Sequence, residues 1–335
     1  MNQIDPQPRI IGDDAPRIDA KAKTFGEATY TADITLPNML HAKLLRSNVG
    51  HARLVKINAD KARRAPGVRA VVIRDDLDQL ASPVYGYFIK DQPLVAMDKV
   101  RYEGDTLAAV AADTEAQAEA ACALIDFEFE RLPDVPDIET ALSETSAELF
   151  EDAPMGVVPK YGTGATGTLR PIRNSCYSFR YETGDEAAFE QCDHIFEDEF
   201  RFSRMHHLHL EPFVTVADAS SDRIQLWSSC QNPFALRKEL GRLFGLPENL
   251  INLNSPFVGG GFGAKNNAKM EPLAVLLSKI SGRPVRLCLT MEEGFLTNTQ
   301  HATILKLKTG VMRDGTFVAR KSEIYLDSGA YSDAS

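Results

Sequence analysis

A run of glycines is the feature that most constrains how this chain folds. The run is Val258-Gly259-Gly260-Gly261-Phe262-Gly263-Ala264-Lys265, with four glycines in five consecutive positions. Because glycine has no Cβ and readily adopts positive φ, such a run weakens helices and strands and lets backbone amides approach an anion closely. We interpret it as a ligand-contacting loop. A tight turn whose glycines serve only packing is the alternative.

The segment after the glycine run predicts a helix from about Met270 to Ser281, which Gly282 and Pro284 terminate. The partial positive charge of a helix N-terminus favours an anion near the loop. Two nucleotide-binding motifs fit poorly. A P-loop needs Gly-Lys-Ser/Thr, whereas Lys265 lies between alanine and asparagine. A G-x-G-x-x-A dinucleotide motif matches nominally, but Pro256 interrupts the preceding strand and the acidic residue comes too late.

The chain divides into two regions of mixed helix and strand patterns, which predicts an α+β (mixed α/β) fold. We expect a flexible lead-in over residues 1–16, a first domain over 17–135, a connecting segment over 136–172 and a second domain over 173–335. The clearest helices are Glu115 to Leu124, capped by Thr114, and a helix capped by Asn232 that runs to about Phe244 and ends at Gly245. Strands are expected at residues 106–112, 199–202, 304–308 and 324–326. The chain ends soon after a strand-like segment, so we expect further parts of the fold elsewhere.

Composition excludes several classes of protein. Of 335 residues, 44% are hydrophobic and 25% charged, which is typical of globular proteins. The net charge of −10 argues against nucleic acid as a partner, and no apolar run approaches the roughly 18 residues of a membrane span. The first residues do not form a secretion signal, and the five cysteines include no C-x-x-C pair. These features predict a cytoplasmic protein with reduced thiols.

Three further groups of residues are candidates for chemistry. His207, His209 and Glu211 alternate along a predicted strand, a spacing that suits a metal but equally a hydrogen-bonded cluster. Cys230 is a weak candidate nucleophile, because no histidine is identifiable as its base. Gln231 lies just before a capped helix, where its amide can donate into a cavity, although a surface turn is the simpler interpretation.

Together these segments resemble the molybdenum-binding subunit of the xanthine oxidase family of molybdenum hydroxylases. The first region resembles its hammerhead domain through runs such as Gly26-Glu27-Ala28-Thr29-Tyr30-Thr31-Ala32-Asp33 and Val100-Arg101-Tyr102-Glu103-Gly104-Asp105. The second resembles its first molybdenum-cofactor domain through Gln231-Asn232-Pro233, the glycine run and Asp327-Ser328-Gly329-Ala330-Tyr331. The resemblance covers nearly the whole chain.

This resemblance implies roles for individual residues. Gln231 is similar to the glutamine that hydrogen-bonds the apical oxygen of molybdenum. Gly260, Gly261, Phe262 and Gly263 are similar to the loop that packs beside the metal and the pterin, with Phe262 and Asn266 facing the substrate. The metal is held through the pterin, so no protein ligand is expected. Asn266 stands where xanthine-oxidising members have a glutamate that contacts the purine, which argues against purine substrates.

The resemblance also implies partners. In the family a second cofactor domain carries most pterin contacts and the glutamate that serves as general base, and no glutamate of this chain matches that motif. We therefore expect the chain to be inactive alone and to need a second molybdopterin-domain subunit, a [2Fe–2S] subunit and an FAD subunit. The cofactor is expected to be molybdopterin in its cytosine dinucleotide form.

The implied reaction converts R–H and water into R–OH, two electrons and two protons. The segment Ile89-Lys90-Asp91-Gln92-Pro93 is similar to the corresponding segment in split subunits of the nicotinate dehydrogenase type. This similarity favours an aromatic N-heterocycle as substrate. An aldehyde, a purine or an aromatic CoA-thioester is the alternative substrate. A non-catalytic assembly subunit is the alternative function.

Overall fold

The computed structural model describes residues 14, 16–86, 89–151, 155–156, 166–169 and 173–332, with backbone alone for 155–156 and 166–169. Its α-helices are α1 (Ala20–Thr24), α2 (Asp60–Arg63), α3 (Glu115–Cys122), α4 (Ile138–Leu142), α5 (Pro233–Phe244), α6 (Glu271–Ser281) and α7 (Met291–Thr297). None of these helices is both long and apolar enough to cross a bilayer.

The strands of the described residues form one large sheet and several small ones. They are β1 (Leu40–Arg46), β2 (Ala52–Asn58), β3 (Val68–Val72), β4 (Val84–Tyr85), β5 (Ile89–Lys90), β6 (Gln92–Pro93), β7 (Lys99–Val100), β8 (Thr106–Ala112), β9 (Asp126–Arg131), β10 (Met155–Gly156), β11 (Thr166–Leu169), β12 (Tyr177–Arg180), β13 (His194–Phe202), β14 (Val214–Asp218), β15 (Ile224–Ser228), β16 (Ile251–Asn254), β17 (Val285–Cys288), β18 (Ala302–Val311) and β19 (Phe317–Asp327).

The large sheet has seven strands in the order β16-β15-β14-β17-β1-β8-β3. Strand β1 joins the two sequence regions, because it pairs in parallel with β17 (Leu40 opposite Val285) and antiparallel with β8 (His41 opposite Ala112). The sheet therefore contains strands from both sides of the predicted connecting segment. The domain boundaries remain predictions from the sequence.

Strand β8 lies between two hydrophobic cores. Its residues from Leu107 to Ala112 are all buried, and alternate side chains point to opposite faces of the sheet. Ala109 and Ala111 enter the core that α6 covers, whereas Ala108 and Val110 enter the core that α3 covers. A strand buried on both faces explains why this segment is continuously small and apolar.

The predicted helix ends agree closely with the structure. Thr114 forms a capping box with Gln117 at the start of α3, which ends at Cys122, two residues before the predicted Leu124. Asn232 caps α5 through a bond from the amide of Ala235, and Gly245 ends it at φ +65°. The helix α6 ends likewise at Gly282, with φ +64°.

The predicted lead-in lies largely outside the described residues, and the predicted connecting segment lies partly outside them. Residues 1–13 and 15 belong to the predicted lead-in and are not described. Within the predicted connecting segment, the structure shows α4, β10 and β11. A separate three-stranded sheet, in the order β13-β18-β19, follows in the second region, and its strands are longer than the sequence predicts.

Candidate functional site

Gln231 lies on the short link between β15 and α5. Its backbone N–H donates to the carbonyl of Lys265, 2.8 Å away, which ties this link to the end of the glycine run. The structure therefore brings Gln231 and the glycine run together, although they are about 30 residues apart in the sequence.

The side chain of Gln231 is held by the glycine loop. Its Oε1 accepts bonds from the amide of Gly263 at 3.1 Å and from that of Lys265 at 3.2 Å. Because the two backbone donors hold the oxygen on the loop side, the amide nitrogen Nε2 points the other way. Gln231 is exposed, and among the described residues Nε2 makes no hydrogen bond. The arrangement presents an N–H donor with a fixed orientation at the surface.

Positive φ falls on three residues of the glycine loop. Gly260 has φ +99°, Gly263 has φ +98° and Phe262, unusually for a non-glycine residue, has φ +51°. Gly261 has ordinary backbone geometry, and its lack of a side chain serves another purpose. A Cβ there would lie 2.4 Å from Oε1 and 2.6 Å from Cδ of Gln231. Gly261 therefore makes room for the glutamine.

The loop uses many of its amides internally. The N–H groups of Gly259, Gly263, Ala264, Lys265 and Asn266 all donate to acceptors within the site. Among the described residues, the amides at positions 260, 261 and 262 have no such partner. Fewer donors are thus available to a ligand than the glycine count suggests, and they lie at the tip of the loop.

A buried ion pair between Lys265 and Glu211 holds the glycine loop in place. Lys265 and Glu211 have side chains only 1% and 8% exposed, with Nζ and Oε2 separated by 2.9 Å. The same ammonium donates to the backbone carbonyl of Glu211, and Oε2 of Glu211 also accepts from the amide of Gly259. Burial lowers the pKa of Lys265, an effect that the adjacent carboxylate opposes. Both ends of the loop are therefore fixed to Glu211.

The predicted strand through His207, His209 and Glu211 is wrong. The backbone is irregular here because Leu208 adopts φ +51° and donates its N–H to Nδ1 of His206. His209 is buried, its Nδ1 donates to the carbonyl of Glu211, and burial lowers its pKa. Glu211 is the partner of Lys265 instead of a metal ligand. Within the described residues, no cluster of His, Cys, Asp or Glu is arranged to hold a metal.

The two predicted substrate-facing residues differ in exposure. Phe262 is 71% exposed, so its ring stands out from the loop tip. Asn266 is half-buried and donates its backbone N–H to the carbonyl of Gly263. Both lie within three residues of Gly263 in the chain, the residue whose amide donates to Gln231.

Two other sequence interpretations find little support in the structure. The N-terminus of α6 already holds a carboxylate, because buried Glu271 accepts from the hydroxyl of Ser228 and from the amide of Lys269. A carboxylate of the chain itself therefore already lies at this helix end. Burial raises the pKa of the Cys230 thiol to about 12, which disfavours the thiolate that a nucleophile requires.

Sequence reasoning missed the role of Lys265 and Glu211. The two residues lie far apart in the chain and no local pattern links them. The residue types alone offered a hint. Lys265 directly follows the glycine loop and Glu211 precedes a proline, and each charged group needs a partner if it is buried. Only the fold shows that they partner each other.

The residues present suit an extended, electron-rich cofactor such as a molybdopterin. A Cβ built on Gly263 would meet nothing within 4 Å, so the outer side of the loop is open to a flat group. The loop-tip amides and Nε2 of Gln231 are donors, which matches the oxygen- and phosphate-rich surface of such a group. These residues fit the cofactor that the sequence resemblance implies.

Comparison with known families divides the chain into two matches. Residues 25–133 match the aldehyde oxidase and xanthine dehydrogenase a/b hammerhead domain. Residues 170–335 match the molybdopterin cofactor-binding domain. The order of the two matches confirms the fold class predicted from the sequence.

Individual relatives agree with these matches. The chain is 34% identical over 319 residues to a probable xanthine dehydrogenase subunit of Bacillus subtilis, covering 94% of this chain and 40% of that protein. It is 32% identical over 330 residues to the nicotinate dehydrogenase large molybdopterin subunit of Eubacterium barkeri, covering 97% of this chain and 72% of that subunit.

Among solved structures, the chain resembles the Cu,Mo-CO dehydrogenase in its carbon monoxide reduced state. The TM-score is 0.83 at 28% sequence identity, covering 93% of this chain and 40% of that one. The chain thus spans about 40% of the Bacillus relative and of this structure, and more of the Eubacterium protein.

Proposed function

We propose a function from the premise that this chain belongs to the xanthine oxidase family of molybdopterin-binding proteins. It forms one side of a molybdenum-cofactor site in a multi-subunit hydroxylase or dehydrogenase. The observation that carries this proposal is the pairing of Gln231 with the glycine loop. The loop fixes the glutamine oxygen, which leaves the amide nitrogen as an oriented donor beside open space.

The cofactor, proposed in its cytosine dinucleotide form, supplies the redox chemistry when bound. Gln231 donates from Nε2 to an oxygen atom of the cofactor and so fixes its orientation. Gly260, Gly261, Phe262 and Gly263 pack beside it, with the free loop-tip amides as further donors. The buried Lys265–Glu211 pair keeps this loop in one conformation, so that the donors need no rearrangement during turnover.

For the substrate we propose an aromatic N-heterocycle similar to nicotinate. The name of one relative, a nicotinate dehydrogenase, supports this class, whereas the name of another, a probable xanthine dehydrogenase, supports the purine alternative. Exposed Phe262 offers an aromatic surface for stacking, and the amide of Asn266 is neutral and can both donate and accept. An aldehyde, a purine or an aromatic CoA-thioester is the alternative.

We further propose that the chain is inactive on its own. The general base would be a glutamate of a second molybdopterin-domain subunit, and electrons would leave through [2Fe–2S] and FAD subunits. A cytoplasmic location fits the five cysteines, none of which forms a disulfide in the structure.

Gln231→Glu tests the proposed role of the glutamine in the assembled complex. A carboxylate keeps the oxygen that accepts from Gly263 and Lys265 but removes the N–H donor and adds a negative charge. We expect unchanged folding and a loss of turnover of about 10²-fold, typical for removal of one preorganised donor. Turnover equal to wild type at equal molybdenum content would refute the assignment.

An assembly role without catalysis is the second candidate, because the exposed side chains of Phe200, Phe202, Ile324 and Leu326 suit contact with another subunit. The two functions differ in the metal content of the complex. A catalytic half-site requires molybdenum in contact with this chain, whereas an assembly role leaves metal content unchanged when Gln231 and the loop are altered.

A further inference from the structure

His209 is a polar side chain buried beneath the glycine loop. It is 1% exposed, and its ring packs against Phe213, nearly perpendicular at 4.9 Å, and against His206, at 5.6 Å between ring centres. Burial of a polar side chain costs free energy unless the side chain forms a hydrogen bond. Close packing of the ring also fixes the direction in which its N–H points.

The hydrogen bond of the imidazole determines its tautomer. Nδ1 lies 2.5 Å from the carbonyl oxygen of Glu211, which can only accept, so Nδ1 carries the proton. Nε2 is buried and makes no hydrogen bond within the described part of the chain. Burial lowers the pKa of His209, and the nearby charge of Lys265 lowers it further. His209 is therefore a neutral donor with one acceptor.

The carbonyl that His209 holds belongs to the residue that anchors both ends of the glycine loop. At the far end, Nζ of Lys265 donates to the same carbonyl oxygen at 2.9 Å. At the near end, the N–H of Gly259 donates to Oε2 of Glu211 at 2.9 Å, and the carbonyl of Gly259 accepts from the amide of Glu211 at 3.1 Å. A donor that orients the Glu211 peptide therefore acts on both loop ends.

His209 also lies against the tip of the loop. A Cβ built on Gly260 would lie 3.3 Å from Cβ of His209 and 3.2 Å from Cε2 of Phe262. The backbone of the tip thus packs on His209 with room for a hydrogen atom only. Lys265, which shares the Glu211 carbonyl with His209, donates its own amide to Oε1 of Gln231. One continuous set of contacts joins His209 to the glutamine.

We propose that His209 is a positioning residue for the donors that face the cofactor. Its N–H orients the Glu211 peptide, Glu211 and Lys265 hold the loop, and the loop orients Nε2 of Gln231. This inference rests on the proposed function, which gives those donors their ligand. The positioning itself involves only residues of this chain and can be measured without the cofactor.

Asparagine and phenylalanine at position 209 separate positioning from packing. The Nδ2 of asparagine takes nearly the place of Nδ1 and keeps the donor, but the ring volume is lost. Phenylalanine keeps a ring against Phe213 and loses the donor. Positioning predicts that His209→Asn retains the wild-type loop and His209→Phe does not, whereas a packing role predicts the reverse order.

Hydrogen–deuterium exchange reads the loop directly. The amides of Gly259, Gly263 and Lys265 are followed in the assembled complex, prepared from cells that cannot make the pterin. We expect exchange about 5–10-fold faster in His209→Phe, the effect of one lost hydrogen bond, and exchange near wild type in His209→Asn. If the phenylalanine ring prevents assembly, His209→Met takes its place, because methionine lacks the donor and adapts its shape.

His51→Phe is the matched control. His51 is 3% exposed and its Nδ1 likewise donates to a carbonyl, that of Pro133 at 2.8 Å, but it lies in the first region of the chain. Its substitution should lower the melting temperature and leave exchange of the glycine loop unchanged. Faster loop exchange in this control would mean that general destabilisation, and not the bond from His209, opens the loop.

Turnover of the cofactor-loaded complex gives the second measurement. His209→Phe should lower kcat by about 10-fold, less than removal of the donor itself, and leave KM near wild type, because the misplaced donor faces the cofactor and not the substrate. Wild-type exchange in His209→Phe, or faster exchange in His209→Asn than in His209→Phe, would overturn the proposal. If exchange follows the expected order but Gln231→Glu leaves turnover unchanged, the positioning stands and only the proposed function fails.

Discussion

Gly261→Ala is predicted to act through Gln231 rather than directly on a ligand. The new Cβ would lie 2.4 Å from Oε1 and 2.6 Å from Cδ of Gln231, closer than Cβ atoms approach other heavy atoms, so the glutamine side chain must move. Its oxygen then loses the bonds from Gly263 and Lys265. At roughly 0.5–1.5 kcal/mol per hydrogen bond, the free energy of unfolding should fall by about 1–3 kcal/mol.

A double-mutant cycle with Gln231→Ala isolates this mechanism. Gln231→Ala removes Oε1, Cδ and Cγ, the three atoms nearest to the new Cβ, and by itself costs the same two hydrogen bonds. In that background Gly261→Ala should be neutral or stabilising by about 0.4–1 kcal/mol, because φ at 261 is ordinary and alanine reduces the entropy of the unfolded chain. Urea unfolding of the four proteins measures each term.

The reasoning fails if the two single effects add in the double variant. Additive losses would mean that the alanine at 261 collides with something other than the glutamine. In the assembled complex, the same Gly261→Ala substitution should lower molybdenum content together with stability, since the displaced glutamine no longer presents its donor.

Two further predictions concern buried charges. Burial raises the pKa of Asp105 from 3.8 to about 6, so the folded state binds this proton more tightly than the unfolded state. The free energy of unfolding should therefore fall by roughly 2–3 kcal/mol as the pH rises from 4 to 6. Urea titrations of Asp105→Asn should show a weaker pH dependence than those of the wild type. Lys265→Met strands the buried carboxylate of Glu211 and should cost about 3–5 kcal/mol; adding Glu211→Gln should recover part of that loss in thermal melts.

Local signals predicted the helices well. The caps Thr114 and Asn232 and the terminating Gly245 and Gly282 each act within a few residues, so the sequence contains the information directly. The buried strand β8 was also visible as a short apolar segment.

Contacts between residues far apart in the sequence could not be predicted from local patterns. Nothing local indicates that β1 pairs with β17, nearly 250 residues later, or that Lys265 partners Glu211. The strand predicted through His207 failed because one residue, Leu208, adopts positive φ, which the alternating pattern does not reveal.

The candidate site shows both situations. The glycine run and Gln231 were recognisable from their residue types and their resemblance to a family. The reason for a glycine at position 261 could not be predicted from the sequence. The side chain of Gln231, from a different segment, fills the space that a side chain at 261 would need. The site residues' roles toward the cofactor remain proposals.

Metal and pterin analysis of the assembled complex tests the central claim most directly. Molybdenum is measured by elemental analysis and the pterin by fluorescence of its oxidised form, each per copy of this chain. The account predicts close to one molybdenum and one pterin per copy in the wild-type complex, and a marked loss of both in the complex carrying Gly261→Ala. A folded, active complex that contains no molybdenum, or that carries a nicotinamide or flavin nucleotide at this loop instead, would contradict it.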